Sequence, residues 1–138
     1  MKRPKYGFMQ KIASSLHLEK PAVDKEISNR VVIVGAGQVG LHIMERLSNE
    51  NYDVILIDSN EEMLAKSREK SDVSTIVGNG CNPEIYLEIG LNKKDVFLAV
   101  TDSDETNLIA CNIAQTFGCR TKIARVRHPF YHSTENSL

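Results

Sequence analysis

The sequence predicts an α/β protein: a doubly wound parallel sheet with helices on both faces, three layers in all, and strand order 3-2-1-4-5. Two observations carry this. From Val31 onward, five short apolar runs alternate with helical patterns. No hairpin signal joins any two runs, so successive strands pair through crossover helices and lie parallel.

Residues 31–34 (VVIV) are apolar and β-branched, as expected of a strand buried on both faces. The helix after it sets Val39, Ile43 and Leu47 on one side, with Met44 beside them. Residues 54–57 form the second strand, ending at Asp58. Asn60 can cap the second helix, whose inward face falls to Met63 and Leu64. Residues 74–77 form the third strand, stopped by Gly78-Asn79-Gly80. Asn82-Pro83 opens the third helix with a cap and then proline, whose missing N–H costs nothing there. Residues 96–100 are the fourth strand. Thr101-Asp102-Ser103 leads into a helix expected to bury Ile109, Ile113 and Phe117 and to stop at Gly118. Residues 122–126 complete the sheet, and Pro129 starts another helix.

The chain has 138 residues, 41% apolar and 25% charged, which suits one folded domain and not a disordered segment. No apolar run approaches the 18 or so residues that cross a membrane. Three irregularly spaced cysteines (Cys81, Cys111, Cys119) argue against a disulfide scaffold and for a reducing compartment. A net charge of −1 gives no electrostatic case for nucleic-acid binding. The charge is unevenly spread, with seven Lys/Arg against three Asp/Glu in residues 1–30, then ten against fifteen. Residues 1–30 therefore read as a basic arm, helical or disordered, ahead of a domain at 31–138. Phe8, Ile12 and Leu16 make one helical stripe in it, and it lacks the apolar core of a secretory signal.

The first strand runs into Gly35-Ala36-Gly37-Gln38-Val39-Gly40, a G-x-G-x-x-G fingerprint. Gly35 permits the tight turn, Gly37 lets backbone touch a pyrophosphate, and Gly40 lets helix and strand pack closely. The helix start then offers N–H groups and a positive dipole end to phosphate. Asp58 lies 21 residues after Gly37, where a ribose-binding carboxylate is expected. A carboxylate accepts from both ribose hydroxyls and repels a 2′-phosphate, favouring NAD(H), or ATP or ADP, over NADP(H). The fold is thus expected to be Rossmann-like.

Thr101 and Asp102, after the fourth strand, should form the opposite wall of the crevice. Asp102 and Glu105 also have capping-box spacing, so helix capping competes with ligand contact for both. Arg125 is a charge in an otherwise apolar strand and calls for an anionic partner: a phosphate, or Asp102 or Asp104. His17, His42, His128 and His132 show no metal-ligand spacing with the cysteines, so no metal site is expected. Cys81 follows the Gly-Asn-Gly turn and reads as an inert thiol beside the crevice.

GAGQVG, LIDSN, VGNGCNP, VTDSDETNLIACNIA and IARVRHPFY, in this order, resemble the N-terminal nucleotide-binding domain (TrkA-N, or RCK) of Trk/Ktr-type regulators of potassium transport. The resemblance runs from Val31 to about Tyr131. It implies a regulator and not an enzyme. Such a domain binds NAD(H) or ATP/ADP, assembles as a homo-oligomer, and gates a membrane potassium transporter subunit from the cytoplasmic face. Carried onto these residues, Gly35, Ala36, Gly37, Gln38 and Val39 hold the phosphates and Asp58 the ribose. Thr101 and Asp102 line the cleft, and Arg125 contacts phosphate. The family's usual sixth strand and following helix have no counterpart before Leu138, and Asn79 stands where many relatives have Asp. The chain is therefore expected to be a piece or a short variant of a longer protein.

Two other readings compete. One is the cofactor half of an NAD-dependent oxidoreductase. Against it, the nucleotide fold takes up everything from Val31 onward, and no His–Asp or Lys–Tyr constellation is placed to move a proton beside a nicotinamide. The other is a structural module of the same fold without a ligand.

Overall fold

The central aliphatic runs become strands in this chain because both of their faces are covered, whereas the edge run at residues 74–77 is half exposed. In the computed structural model, which describes residues 28–132, β1 (Arg30–Val34) sends Val31 and Ile33 into one core and Val32 and Val34 into the other. β2 (Asp53–Asp58), β3 (Ser74–Val77), β4 (Val96–Ala99) and β5 (Thr121–Ala124) complete the sheet in the order β3-β2-β1-β4-β5. All four pairings are parallel. The order reverses between β1 and β4, and a crevice opens there beyond the carboxyl ends of the strands.

Helices α1 (Gln38–Asn49) and α2 (Glu61–Lys70) cover the first face, with Ile43, Met44, Leu47 and Leu64 against Ile33 and Leu56. Helices α3 (Pro83–Glu88) and α4 (Asp104–Thr116) cover the second, with Ile85, Tyr86, Ala110 and Ala114 against Ile57 and Phe97. A short α5 (Pro129–His132) follows β5. Each large aliphatic side chain fully buried this way stabilises the fold by about 1.5–3 kcal/mol. Tyr86 is fully buried, meets Phe97 edge-on at 5.4 Å, and donates its hydroxyl to the Gly80 carbonyl. That bond holds the β3–α3 turn against the second core.

Several sequence expectations shift. The inward face of α4 is Asn107, Ala110 and Ala114, while Ile109 is half exposed and Ile113 and Phe117 are only partly buried. Small residues let α4 lie close on the sheet, which rotates the apolar stripe away from Ile109. The cap of α4 is Ser103, whose hydroxyl accepts from the Thr106 N–H at 3.1 Å. Asp102 and Glu105 therefore do not form a capping box. β4 ends at Ala99 and β5 at Ala124, leaving Val100 and Arg125 just beyond the strands. Asn60 and Asn82 cap α2 and α3 as expected. The stripe of Phe8, Ile12 and Leu16 lies outside the described residues, as does His17.

At the opposite end of the sheet, Arg30 opens β1 and forks onto Asp95, with Nε to Oδ1 at 2.8 Å and Nη2 to Oδ2 at 2.6 Å. Asp95 is almost fully buried, and Arg30 also donates to the Ile89 and Gly90 carbonyls. Four hydrogen bonds from one guanidinium fasten the α3–β4 loop to the start of β1. This end is closed; the crevice end is open.

Candidate functional site

The β1–α1 turn is built by glycine where nothing else fits. Gly35 has φ +111°, and a Cβ there would lie 2.9 Å from the Thr101 nitrogen. A Cβ on Gly40 would come within 1.8 Å of the Gly35 carbonyl oxygen. At Gly37 a Cβ would meet nothing within 4 Å, so this residue keeps open the space in front of α1. Asn60, Asn82 and Ser103 cap their helices, whereas α1 begins at Gly37 with no side-chain cap and no acidic residue in its first turn. Its first N–H groups have no intrahelical partner and carry the positive end of the helix dipole. This cradle fits a phosphate group.

Asp58 faces the turn from the end of β2. Its Oδ2 accepts from the Ala36 N–H at 2.7 Å and its Oδ1 from the Asn60 N–H at 2.8 Å. The carboxylate is thereby fixed in orientation with lone pairs to spare, since two oxygens offer about four acceptor sites. Gly78 continues the same end of the sheet by donating to the Asp58 carbonyl at 2.9 Å.

The far wall comes from the segments after β4 and β5. Arg125 is mostly buried, and its ion-pair partner is Asp102, with Nη1 to Oδ1 at 3.7 Å. That separation exceeds a hydrogen bond, and the Asp102 side chain is 96% exposed, so the pair is worth little. Of the two carboxylates expected to compete for Arg125, Asp104 is committed elsewhere. It accepts from the Arg127 N–H at 2.9 Å and the His128 N–H at 2.8 Å, and these bonds hold its carboxyl below the usual carboxylate range. Arg127 reaches back to the Asp102 carbonyl at 2.6 Å.

Together these elements enclose a cleft of about 820 Å³, within the range of small-molecule and cofactor sites. Gly35, Gly37, Gln38, Val39, Asp58, Thr101, Asp102 and Arg125 all line it. Ala36 does not; its side chain is buried, and its N–H serves Asp58. Among the described residues the charged groups of the lining are Asp58, Asp102, Arg125 and Arg127, with no His, Lys, Cys or Tyr. Sequence reasoning missed Arg127, and also Asn107 beneath the wall. The signal for Arg127 was present in its spacing from Arg125, since i and i+2 share a side in extended chain. The Cys81 thiol is held by the Thr106 carbonyl at 3.7 Å and burial raises its pKa, in keeping with an unreactive thiol. No group of three or more His, Cys, Asp or Glu among the described residues is arranged to hold a metal ion. No helix among them is long and apolar enough to cross a membrane.

Comparison with known proteins places this architecture. The chain is 36% identical over 110 residues to the Trk system potassium uptake protein TrkA of Vibrio alginolyticus, an alignment covering 79% of this chain and 24% of that protein. It is 45% identical over 109 residues to a TrkA homolog of Methanosarcina mazei, covering 74% and 26%. A TrkA homolog of Archaeoglobus fulgidus matches at 40% over 102 residues, covering 74% and 23%. The chain thus spans about a quarter of the length of these relatives. Among solved structures, a xanthine dehydrogenase from Bacillus halodurans superposes with a TM-score of 0.58 at 18% identity, covering 79% of this chain and 32% of that one. The chuY protein of E. coli CFT073 gives 0.53 at 16%, covering 68% and 46%. Identities this low speak for the fold alone. The TrkA-N domain family matches residues 31–135, and this chain belongs to it.

Proposed function

We propose that the cleft binds an adenine nucleotide, NAD(H) or ATP/ADP, and that the domain acts as a regulatory module of a potassium uptake system. One observation carries the nucleotide reading: a fixed carboxylate, Asp58, faces an uncapped, glycine-opened helix start across a single cleft. In this reading the α1 N–H groups and Arg125 hold phosphate, Asp58 accepts from the ribose hydroxyls, and Thr101 and Asp102 bound the far side. A dinucleotide would supply adenosine and pyrophosphate for recognition. The absence of His, Lys, Cys and Tyr from the described lining favours a binding module over an oxidoreductase fragment.

The potassium-uptake part of this reading rests on the names of the relatives and on family membership, and the regulatory part on what the sequence resemblance implies. A nucleotide shifts such a module only by its differential affinity for two conformations. The nucleotide unit is residues 31–138, with residues 1–30 as a basic arm. The partner is a membrane potassium transporter subunit, engaged from the cytoplasmic face by a homo-oligomer. Two experiments test this. Binding of NADH, NAD, ATP and ADP should be saturable in the wild type and lost in Asp58→Ala. Potassium flux through the co-reconstituted transporter subunit should respond to the same nucleotides; unresponsive flux despite binding rejects the regulatory half.

A further inference from the structure

We infer that Asn107 is the positioning residue that sets Arg125 opposite the phosphate cradle, and so determines how strongly the cleft prefers phosphorylated ligands. The inference rests on the nucleotide reading above. Asn107 is fully buried on the inner stripe of α4, where Ala110 and Ala114 serve the packing with no polar atom to satisfy. An amide there is unfavourable unless every polar atom is matched. All are matched. Oδ1 accepts from the Thr101 N–H at 2.8 Å and the Thr101 hydroxyl at 2.6 Å. Nδ2 donates to the Thr101 carbonyl at 3.0 Å and the Arg125 carbonyl at 2.8 Å.

The location gives this network its role. β4 and β5 pair as far as Ala99 opposite Ala124, and the last bond between them is Arg125 N–H to Ala99 carbonyl at 2.8 Å. Beyond it one segment leads to α4 and the other to α5, and among the described residues no further backbone–backbone bond joins them before the Asp104 and Arg127 side chains do so at residues 127 and 128. Asn107 bridges them with a side chain where the backbone ladder has stopped. On one side it fixes Thr101, against which Gly35 packs so closely that a Cβ would not fit. On the other it fixes the main chain from which the Arg125 guanidinium enters the cleft. Asp104 and Arg127 also tie the two segments, but two or three residues farther along, at residues 127 and 128. At Arg125 itself the link to Thr101, and through it to the α1 start, is the Asn107 amide. Asp102, at 3.7 Å from Arg125 and exposed, is too weak a partner to serve as that link.

The test is a binding cycle on the full chain with adenosine, ADP and NAD, using Asn107→Ala, Arg125→Gln and the double variant. Asn107→Ala is expected to weaken ADP and NAD about tenfold or more while leaving adenosine within about twofold, because only the phosphate contact is displaced. In the Arg125→Gln background the same change should add little. Equal weakening of all three ligands, or losses that simply add in the double variant, would overturn the inference and leave the nucleotide reading standing. A wild type that binds none of the three rejects both. Should Asn107→Ala fail to fold, the wild type itself decides by NMR. In the wild type, the Asn107 side-chain amide resonances should move with ADP and not with adenosine; resonances unmoved by ADP contradict the role.

Discussion

The Asp58 carboxylate is bonded to the Ala36 N–H at 2.7 Å, so the end of β2 and the glycine turn after β1 form one unit before any ligand arrives. With the Asn60 N–H on its other oxygen, the side chain also anchors the start of α2. The group proposed to read the ribose is thus pre-oriented, and part of its binding cost is met in folding.

Replacing Asp58 by Asn should therefore act twice. An amide cannot accept at both ends, so one N–H loses its acceptor, at a cost in urea unfolding of about 1–3 kcal/mol if it is the part-buried Ala36 N–H and less if it is the exposed Asn60 N–H, which water can reach. Removing the charge also relieves repulsion of a 2′-phosphate, so the preference for NADH over NADPH should narrow. Unchanged stability and unchanged preference would contradict the geometry.

The glycines separate folding from binding. Gly40→Ala forces a Cβ to 1.8 Å from the Gly35 carbonyl and should destabilise the domain by about 3 kcal/mol or more, or prevent folding. Gly37→Ala meets nothing within 4 Å. Its melting temperature should stay close to that of the wild type while nucleotide affinity falls, because the added methyl occupies the phosphate's space. Thermal melting alongside titration checks both.

Asp104 gives a pH signature. Bonds from the Arg127 and His128 N–H groups hold its carboxyl below the ordinary range. A lowered pKa contributes stability above the unfolded-state value and loses it as pH falls through the folded-state value. Asp104→Asn should accordingly be less stable than wild type near neutral pH, with the gap closing in acid. Urea unfolding across that range measures it, and a pH-independent gap would refute the assignment.

The thiols should be slow. Burial pushes Cys111 up to about 12 and Cys119 up to about 11, and it raises the part-exposed Cys81 as well. The neutral thiol is a poor nucleophile. Native protein at pH 8 should react sluggishly with a thiol reagent, Cys81 first, and all three should react at once in denaturant. Fast native labelling of Cys111 would contradict its burial.

What could be read from sequence followed from period and punctuation. Strands such as residues 31–34 and the turn at Gly35 are local signals, parallel pairing followed from the absence of hairpins, and strand order from the doubly wound fold that the glycine fingerprint implies. The site glycines and Asp58 were legible because their spacing is itself the constraint. The α4 wall was not. Ile109 looks like core at helical spacing, yet the helix turns it outward because alanines allow a closer approach to the sheet. Likewise Ser103, and not Asp102, caps that helix, because its start lies one residue later than the capping-box pattern suggested. Asn107 gives no sequence signal at all: its partners Thr101 and Arg125 meet only once β4 and β5 are side by side.

The most direct test of the central claim is calorimetric titration of NADH and ADP into the full chain, read beside the thermal stability of the same samples. The account predicts a saturable site and, at 100 times the dissociation constant, stabilisation of about 2.7 kcal/mol. NADPH should bind more weakly. Folded protein that shows neither binding heat nor a stability gain with either nucleotide would contradict it.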